Sequence, residues 1–326
     1  MKKTRKRVLV ICITLILVLV LMISGLRIME STVFSDDTVT TEPVSSKTVT
    51  RDNVKYFPRQ DITTVLIMGI DQEGPVEDSG SYRNEGECDV VMLAIFDETN
   101  EDYSILALNR DSMVEMPALG LGGKQAGTFF GQLALSHTYG SGLEDSCENT
   151  RRTVADLLSG AVIDYYVAMN MDAIGLLNDA VGGVTVTVTD DFSAVDNSIP
   201  MGTVTLNAEQ ARSYVQIRKD IGDQLNISRM ERHQDYIDGF MRAFEAKMDG
   251  NDSFVLSTYE EISPYLVTDC SVNTLTTLVS RFSDYELQEI VTPEGENILT
   301  KEYFEFHLDE EKLDELVLRL FYAPKE

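Results

Sequence analysis

The sequence predicts an α/β fold in which helices pack on a mixed central sheet, preceded by one N-terminal transmembrane helix. Apolar segments of strand length alternate with segments of helical periodicity, which is typical of layered α/β proteins. Two of the strands are joined by a short polar turn, which makes them antiparallel neighbours within the sheet. The chain also begins with a basic cluster and a long apolar run.

The N-terminus has the pattern of a membrane anchor. Residues 1–7, MKKTRKR, are strongly basic and lead directly into an apolar run at residues 8–26, close to the length that a bilayer core requires. A cleaved signal peptide is the alternative, but its apolar region is shorter and no small-residue cleavage site precedes Arg27. We expect an uncleaved single span with a cytoplasmic N-terminus, because basic flanks stay inside. The rest of the chain then lies outside the cell membrane.

Two regions follow the predicted anchor. Residues 27–59 contain polar runs such as TVTTEP without a sustained period, and we predict that they form an extracellular stalk. Residues 60–326 have no linker-like composition and no internal repeat. Their length suits one large domain.

The elements of this domain follow from periodicity and capping signals. We predict strands at residues 63–70, 89–98, 102–110, 163–170 and 184–188 and helices at residues 149–158 and 171–181. Asn207 with Gln210 predicts a helix start, and Ser228 with Glu231 has the spacing of a capping box that opens a helix to about residue 249. The tail contains two more helical patterns, a strand-like LQEIV and the amphipathic segment DEEKLDELVLRLF.

The charge of the chain limits its ligands. It contains 27 Lys plus Arg against 54 Asp plus Glu, a formal net charge of −27. Such a chain repels polyanions at long range, which excludes nucleic acid as a partner. Any anionic ligand must be held by a local cluster of cations.

Cysteine and histidine give little support for a metal site. Cys12 lies in the predicted anchor, and neither the other cysteines nor the three histidines have zinc-like spacing. For Cys147 and Cys270 we consider two alternatives, a disulfide in the oxidising exterior or two free buried thiols, with Cys88 reduced in either case.

Basic residues gather around the predicted start of the long helix. Arg229 and Arg232 are three residues apart and project from nearly one helix face. Two arginines near a positive helix terminus suggest an anion between them. The alternative is pairing with the nearby acids Asp220, Asp223 and Glu231. Arg218 and Lys219, which end the preceding helix, favour the anion site.

Carboxylates stand at the ends of three predicted strands. Asp71 follows the first strand, Asp89 opens the second and Asp111 follows the third. An antiparallel pair joined at residues 98–102 brings Asp89 and Asp111 towards each other, as a site for a hard cation such as Mg²⁺ or Mn²⁺ with phosphate oxygens. Arg110 beside them completes a site for a metal-bound pyrophosphate. The alternative is a solvated strand end with a local ion pair.

Seven stretches, in this order behind an N-terminal anchor, resemble the LytR-CpsA-Psr family of cell-envelope proteins across roughly residues 60–323. They are TTVLIMGID, CDVVMLAIFD, ILALNRDSMVEMP, LALSHTYG, RRTVADLLSGAVIDYYVAMNMDAIGLLNDAVGGVTVTV, LNAEQARSYVQIRK and SRMERHQ. The resemblance implies an αβα sandwich with an apolar channel for a prenyl chain. It also implies a magnesium-dependent phosphotransferase that moves a glycopolymer, such as teichoic acid or capsule, from a polyprenyl-pyrophosphate carrier to peptidoglycan.

The resemblance assigns roles to individual residues. Asp89 and Asp111 match the metal-binding carboxylates, and a set of arginines matches those around the pyrophosphate, namely Arg110, Arg218, Arg229 and Arg232. Asp223, or else Asp220, matches the acid proposed in the family to activate the acceptor hydroxyl.

The chain departs from the family pattern at two positions. Glu87 and Gln216 stand where the family commonly has arginine, and Arg83 or Lys219 could compensate for the lost charge. Two further functions therefore stay open, a polyprenyl-pyrophosphate hydrolase and a lipid-binding regulator without turnover.

Overall fold

The structure is a computed structural model that describes residues 48–324, except for several short gaps. The gaps are residue 52, residue 121, residues 218–220, 222–225, 249–253, 272–273, 275–276, 279–280 and 283–284, and residue 302. The predicted basic tail, the anchor at residues 8–26 and most of the predicted stalk lie outside the described residues. Within the described part, no helix is long and apolar enough to cross a membrane.

The described residues form fifteen strands and six α-helices. The strands are β1 (Val49–Arg51), β2 (Val54–Pro58), β3 (Ile62–Asp71), β4 (Glu87–Asp97), β5 (Asp102–Leu108), β6 (Met113–Leu119), β7 (Gln125–Gln132), β8 (Tyr165–Asn170), β9 (Val184–Val188), β10 (Gly202–Leu206), β11 (Leu266–Thr268), β12 (Glu286–Val291), β13 (Gly295–Leu299), β14 (Phe304–Leu308) and β15 (Tyr322–Pro324). The helices are α1 (Glu144–Leu157), α2 (Met171–Ala180), α3 (Ala208–Gln216), α4 (Asn226–Met248), α5 (Phe254–Ile262) and α6 (Glu310–Phe321).

Six of these strands form the central sheet in the order β11-β8-β3-β4-β5-β12. β3, β4 and β5 are successive antiparallel neighbours, whereas β8 runs parallel to β3 and β12 parallel to β5. The predicted mixed α/β sheet is therefore confirmed. The register places Val91 of β4 opposite Leu108 of β5, so the start of β4 lies beside the end of β5.

Two apolar cores lie on opposite faces of the sheet. Side chains alternate across a strand, so Val65 belongs to one core and its neighbour Leu66 to the other. The first core is completed by helices α2 to α5, including Tyr214 and Phe244. The second is completed by α1 and α6, including Val154. Helices thus cover both faces of the sheet.

Two hairpins extend from the sheet edge beside the end of β5. β6 pairs with β7, and β13 pairs with β14. The backbone N–H of Phe306 in β14 donates to the carbonyl of Asp111 at 2.8 Å, which joins the second hairpin to the segment between β5 and β6. Sequence periodicity missed the first hairpin because Pro117 interrupts β6 and because β7 is exposed along most of its length.

The folded part begins before the predicted boundary at residue 60. β1 and β2 fall within the predicted stalk, yet they form a three-stranded sheet with β15 at the other end of the chain. The N–H of Arg59 also donates to the carbonyl of Phe321 at 2.8 Å. This pairing joins residues far apart in the chain, which a local reading of a polar segment does not detect.

Helix starts were predicted with mixed success. Asn207 caps α3, because its side chain accepts from the N–H of Gln210 at 2.9 Å and the Gln210 side chain accepts in return. The predicted cap at Ser228 is wrong, because α4 already begins at Asn226. The α1 helix begins at Glu144, five residues before the predicted start at residue 149.

The disulfide considered between Cys147 and Cys270 is wrong. Both cysteines, and Cys88, are free and buried. Cys147 belongs to the core beneath α1, whereas Cys270 belongs to the core on the opposite face of the sheet. Burial raises the pKa of the Cys88 and Cys270 thiols to about 12, so both stay protonated.

Candidate functional site

The segment between β5 and β6 is held by hydrogen bonds on both sides. The side chain of Asn109 accepts from the N–H of Asp111 at 3.0 Å. The carbonyl of Arg110 accepts from the N–H of Ala134 at 2.9 Å. With the bond to Phe306 in β14, these contacts place the Arg110 and Asp111 side chains on a fixed backbone.

Arg110 lies among three carboxylates. Its Nη1 forms an ion pair with Oδ1 of Asp89 and its Nη2 with Oε2 of Glu87. Its Nε lies 3.6 Å from Oδ1 of Asp111. Only 10% of the Arg110 side chain and 1% of the Asp111 side chain are exposed, so this is no solvated strand end.

Helix α4 supplies a second arginine to the same cluster. Nη1 of Arg229 donates to Oδ2 of Asp89 at 2.7 Å, although the two residues are 140 positions apart. Both side chains are almost completely buried. Asp89 therefore lies between Arg110 and Arg229. The structure brings together four of the predicted site residues with Glu87. We call Glu87, Asp89, Arg110, Asp111 and Arg229 the charged cluster.

The charged cluster has unbalanced charge. Three carboxylates face two guanidinium groups, which leaves one negative charge when all five groups are ionised. Oδ1 of Asp89 and Nε of Arg110 are buried and form no hydrogen bond of normal geometry. Among the described residues no group of three or more His, Cys, Asp or Glu side chains is arranged to hold a metal ion. Asp89 and Asp111 together supply two buried carboxylates, hard oxygen donors of the kind that a divalent cation takes alongside phosphate and water.

Arg232 has a different environment from Arg229. Its Nε donates to the carbonyl of Tyr214 at 3.0 Å, its Nη2 to the carbonyl of Ile217, and its Nη1 to Asp190 at 2.8 Å. With 4% of its side chain exposed, Arg232 holds the end of α3 against α4. We assign Arg232 a positioning role, because it holds the carbonyl of Ile217. Ile217 directly precedes Arg218, which is predicted to contact the pyrophosphate.

Two buried histidines support the site, and sequence reasoning did not identify them. His233 bonds the carbonyl of Val215 at 2.8 Å, and burial with the nearby Arg229 lowers its pKa to about 3. His137 bonds the carbonyl of Gly86 at 2.9 Å, directly before β4, and burial lowers its pKa to about 4. Both are neutral at pH 7 and act as hydrogen-bonding supports.

The other predicted site residues border the charged cluster, lie apart from it or fall outside the described residues. Asp71 lies opposite Glu87 in the register of β3 and β4 and accepts a hydrogen bond from Gln216 at 2.7 Å. The guanidinium carbon of Arg83 lies 4.2 Å from the ring centroid of Tyr139. Four predicted site residues lie outside the described residues, namely Arg218, Lys219, Asp220 and Asp223.

An apolar cavity lies directly beside the charged cluster. It holds about 840 Å³ of empty space, counting its open mouth, between the sheet and helices α2 and α4. Its lining is almost entirely apolar and consists of Ile67, Met68, Gly69, Val90, Met92, Met169, Met171, Ile174, Leu177, Val215, His233, Tyr236, Ile237 and Phe240. Val90 follows Asp89 along β4, and His233 is one helical turn beyond Arg229. The cavity therefore ends at the charged cluster.

Several characterised proteins are similar to this chain in sequence. A polyisoprenyl-teichoic acid–peptidoglycan teichoic acid transferase, TagU of Bacillus subtilis (strain 168), is 25% identical over 195 residues, which cover 60% of this chain and 56% of TagU. The TagU of Enterococcus faecalis (strain ATCC 700802 / V583) is 27% identical over 55% of this chain and 52% of that protein. Biofilm regulatory protein A of Streptococcus mutans is 31% identical over 53% of this chain and 42% of that protein. The chain thus spans about half the length of these relatives.

Solved structures share the fold. A protein from Streptococcus agalactiae has a TM-score of 0.64 and 23% identity, covering 80% of this chain and 86% of that one. TagT bound to LI-WTA has a TM-score of 0.59 and 22% identity, covering 80% of this chain and 90% of that one. The model of the LytR_cpsA_psr family matches residues 28–321, nearly the whole sequence. The chain therefore belongs to the LytR-CpsA-Psr family.

Proposed function

We propose that this protein is a phosphotransferase that moves a glycopolymer of teichoic acid or capsule type from a polyprenyl-pyrophosphate carrier to peptidoglycan. Family membership and the transferase names of its relatives support this function. The observation that carries it is the apolar cavity that ends at the charged cluster. A long apolar chain with an anionic head group fits these two adjoining environments, whereas a soluble nucleotide or a free sugar has no apolar chain to fill the cavity.

The two arginines of the charged cluster act on the pyrophosphate in this proposal. Arg110 and Arg229 are held by fixed carboxylates in a site from which water is largely excluded. Fixed cations in such a site stabilise the negative charge that develops on phosphoryl oxygens during attack by a sugar hydroxyl. Arg110 must release Glu87 to face the donor, because both of its Nη atoms are paired with carboxylates.

A divalent cation, Mg²⁺ or Mn²⁺, is part of the proposal. Asp89 and Asp111 would hold it, and their buried hard oxygens and the residual negative charge of the cluster support this choice. Bound there, it would supply positive charge to neutralise the pyrophosphate and the leaving prenyl phosphate. The contact of Asp89 Oδ2 with Arg229 fixes the orientation of these two side chains.

The acceptor hydroxyl must lose a proton during attack. We propose Asp223, with Asp220 as second choice, as the proton acceptor, and Arg218 and Lys219 as further contacts to the pyrophosphate. The bond from Arg232 to the carbonyl of Ile217 supports this assignment, because it anchors the chain directly before these residues.

The donor and acceptor are both outside the cytoplasmic membrane in this proposal. The chain would be anchored by residues 8–26, with its N-terminus in the cytoplasm and the catalytic domain outside the cell. A carrier lipid in the same membrane then needs only to enter the apolar cavity.

The test uses the purified full chain, a polyprenyl-pyrophosphate glycan and Mg²⁺, with and without peptidoglycan. We expect glycan transfer that requires peptidoglycan. Release of glycan at the same rate without peptidoglycan would identify a hydrolase, and tight lipid binding without either product would identify a regulator. Both results would overturn the transferase proposal.

A further inference from the structure

We propose that Phe129, Tyr139 and Arg83 form a binding ledge for a sugar ring of the acceptor glycan, an inference that rests on the proposed function. The ring centroids of Phe129 and Tyr139 are 5.3 Å apart with a tilt of 38°, and the guanidinium of Arg83 lies over Tyr139. Phe129 is 39% exposed, so part of its ring is accessible to a ligand. We call these three residues the aromatic ledge.

The aromatic ledge is built from three separate segments. Phe129 belongs to β7, Tyr139 to the loop before α1, and Arg83 to the loop before β4. A Cβ at Gly131 would lie only 2.4 Å from the Phe129 ring, so glycine at that position lets the ring fold along the strand. A Cβ at Gly123 would lie 2.9 Å from the Tyr82 ring, which packs the loop before β4 against the tip of the hairpin. The loop before β4 and the tip of the hairpin therefore pack against each other.

The chemistry of the aromatic ledge matches a pyranose ring. One face of such a ring presents C–H groups, which pack on the electron-rich face of an aromatic side chain. Its rim carries hydroxyl and acetamido oxygens that accept hydrogen bonds from an arginine. Arg83 forms no ion pair among the described residues, although acids outnumber bases two to one in this chain. Its donors are therefore available to a ligand.

The strand that carries Phe129 also reaches the charged cluster. Gln132, three residues after Phe129 in β7, donates from Nε2 to Oδ1 of Asp111 at 3.1 Å and to the carbonyl of Phe304 at 2.8 Å. Three residues of strand span about 10 Å. Phe129 and Gln132 project from opposite faces of β7, so a glycan on the ledge lies about 10 Å along the strand from the Asp111 contact and has to cross the edge of β7 to reach the phosphoryl group. The apolar cavity opens between the sheet and helices α2 and α4. The donor lipid would therefore approach the charged cluster beside these helices, and the acceptor would approach it beside β7.

The experiment measures binding of a short β-1,4-linked oligomer of N-acetylglucosamine to the full chain by ligand-observed NMR. We expect Phe129→Ala, Phe129→Leu and Arg83→Gln each to weaken this binding roughly tenfold. Phe129→Leu keeps an apolar side chain of similar volume and so separates loss of the ring from loss of folding. The matched control is Phe130→Ala, because Phe130 is more exposed, at 59%, and projects from the opposite face of the same strand.

Transfer assays separate the ledge from the proposed function. We expect the ledge variants to raise KM for peptidoglycan and to leave KM for the polyprenyl-pyrophosphate donor unchanged. Equal loss in Phe130→Ala, unchanged oligomer binding in the ledge variants, or no oligomer binding by the unmodified chain would overturn the ledge. A raised donor KM would assign it to the donor glycan, and binding of lipid vesicles that depends on Phe129 would assign it to the membrane. Each of these results also overturns the inference, whereas failure of donor binding in all variants would contradict only the proposed function.

Discussion

Replacement of Glu87 by glutamine tests how the charged cluster prepares Arg110 for an anionic ligand. Glu87 pairs with Nη2 of Arg110, an atom that we expect to face the pyrophosphate. A donor phosphate must therefore displace the Glu87 carboxylate. Removing that carboxylate should make donor binding tighter, because no ion pair has to be broken. It should also make the ligand-free protein slightly less stable, because the same ion pair stabilises the fold.

The expected magnitude follows from the exposure of the pair. Two unit charges about 4 Å apart interact by roughly 4 kcal/mol at an effective dielectric constant of about 20. The Glu87 side chain is 38% exposed, however, so solvent screening reduces the net value to about 1 kcal/mol. One kcal/mol corresponds to roughly fivefold in affinity. We expect Glu87→Gln to bind a prenyl pyrophosphate about fivefold more tightly and to lose about 1 kcal/mol of unfolding free energy.

Titration calorimetry with Mg²⁺ and a prenyl pyrophosphate measures the affinity, and thermal melting of the empty protein measures the stability. Glu85→Gln is the matched control, since it removes the same charge from an exposed side chain two residues away. We expect Glu85→Gln to leave both the donor affinity and the melting temperature nearly unchanged. Weaker donor binding in Glu87→Gln would contradict this prediction, because it would mean that Glu87 holds Arg110 in its working position.

Three further tests address the charged cluster, a buried histidine and the cysteines. Arg110→Ala should retain metal binding and lower turnover on the order of a hundredfold. Asp111→Ala should weaken the dependence of turnover on Mg²⁺. Equal turnover of both variants and the unmodified chain across a Mg²⁺ series would contradict the roles assigned to Arg110 and Asp111. The pKa of His233 is lowered from 6.5 to about 3, so the unfolded chain binds its proton first and stability should fall as the pH drops from about 6.5 towards 3. The melting temperature of His233→Gln should depend less on pH over that range, and an identical pH dependence would count against a buried neutral histidine. The three described cysteines should resist a thiol reagent in the native protein and all react after denaturation without reductant; a missing thiol would indicate a disulfide.

The central sheet was predictable from sequence because its strands are buried on both faces. β3, β4 and β5 therefore read as continuous apolar runs, and the polar turn between β4 and β5 defines their antiparallel pairing. The β6–β7 hairpin was not predictable, since exposed residues along β7 have no apolar period. β1 and β2 were assigned to a stalk for the same reason, because only pairing with the C-terminal β15 gives them a place in the fold.

The candidate site was predictable in part, through the positions where strands end. Asp89, Arg110 and Asp111 lie at such ends, and antiparallel pairing brings them together. The contact between Arg229 and Asp89 joins residues 140 positions apart, so sequence suggested an anion near Arg229 without showing its carboxylate partner. The same limit applies to Arg232, which was predicted to contact substrate but is committed to Asp190 and two carbonyl groups.

In the proposed function, one amphipathic donor occupies both the apolar cavity and the charged cluster. The most direct measurement compares the Kd values of the full chain for a polyprenyl pyrophosphate, for the polyprenyl alcohol of the same length and for inorganic pyrophosphate, all with Mg²⁺. Each buried methylene contributes about 0.8 kcal/mol, so a few of them suffice for an advantage of roughly a hundredfold over inorganic pyrophosphate. We predict that the polyprenyl pyrophosphate binds at least that much more tightly than either partial ligand. Equal affinity for inorganic pyrophosphate and the polyprenyl pyrophosphate would contradict the account, because the cavity would then take no part in binding the donor.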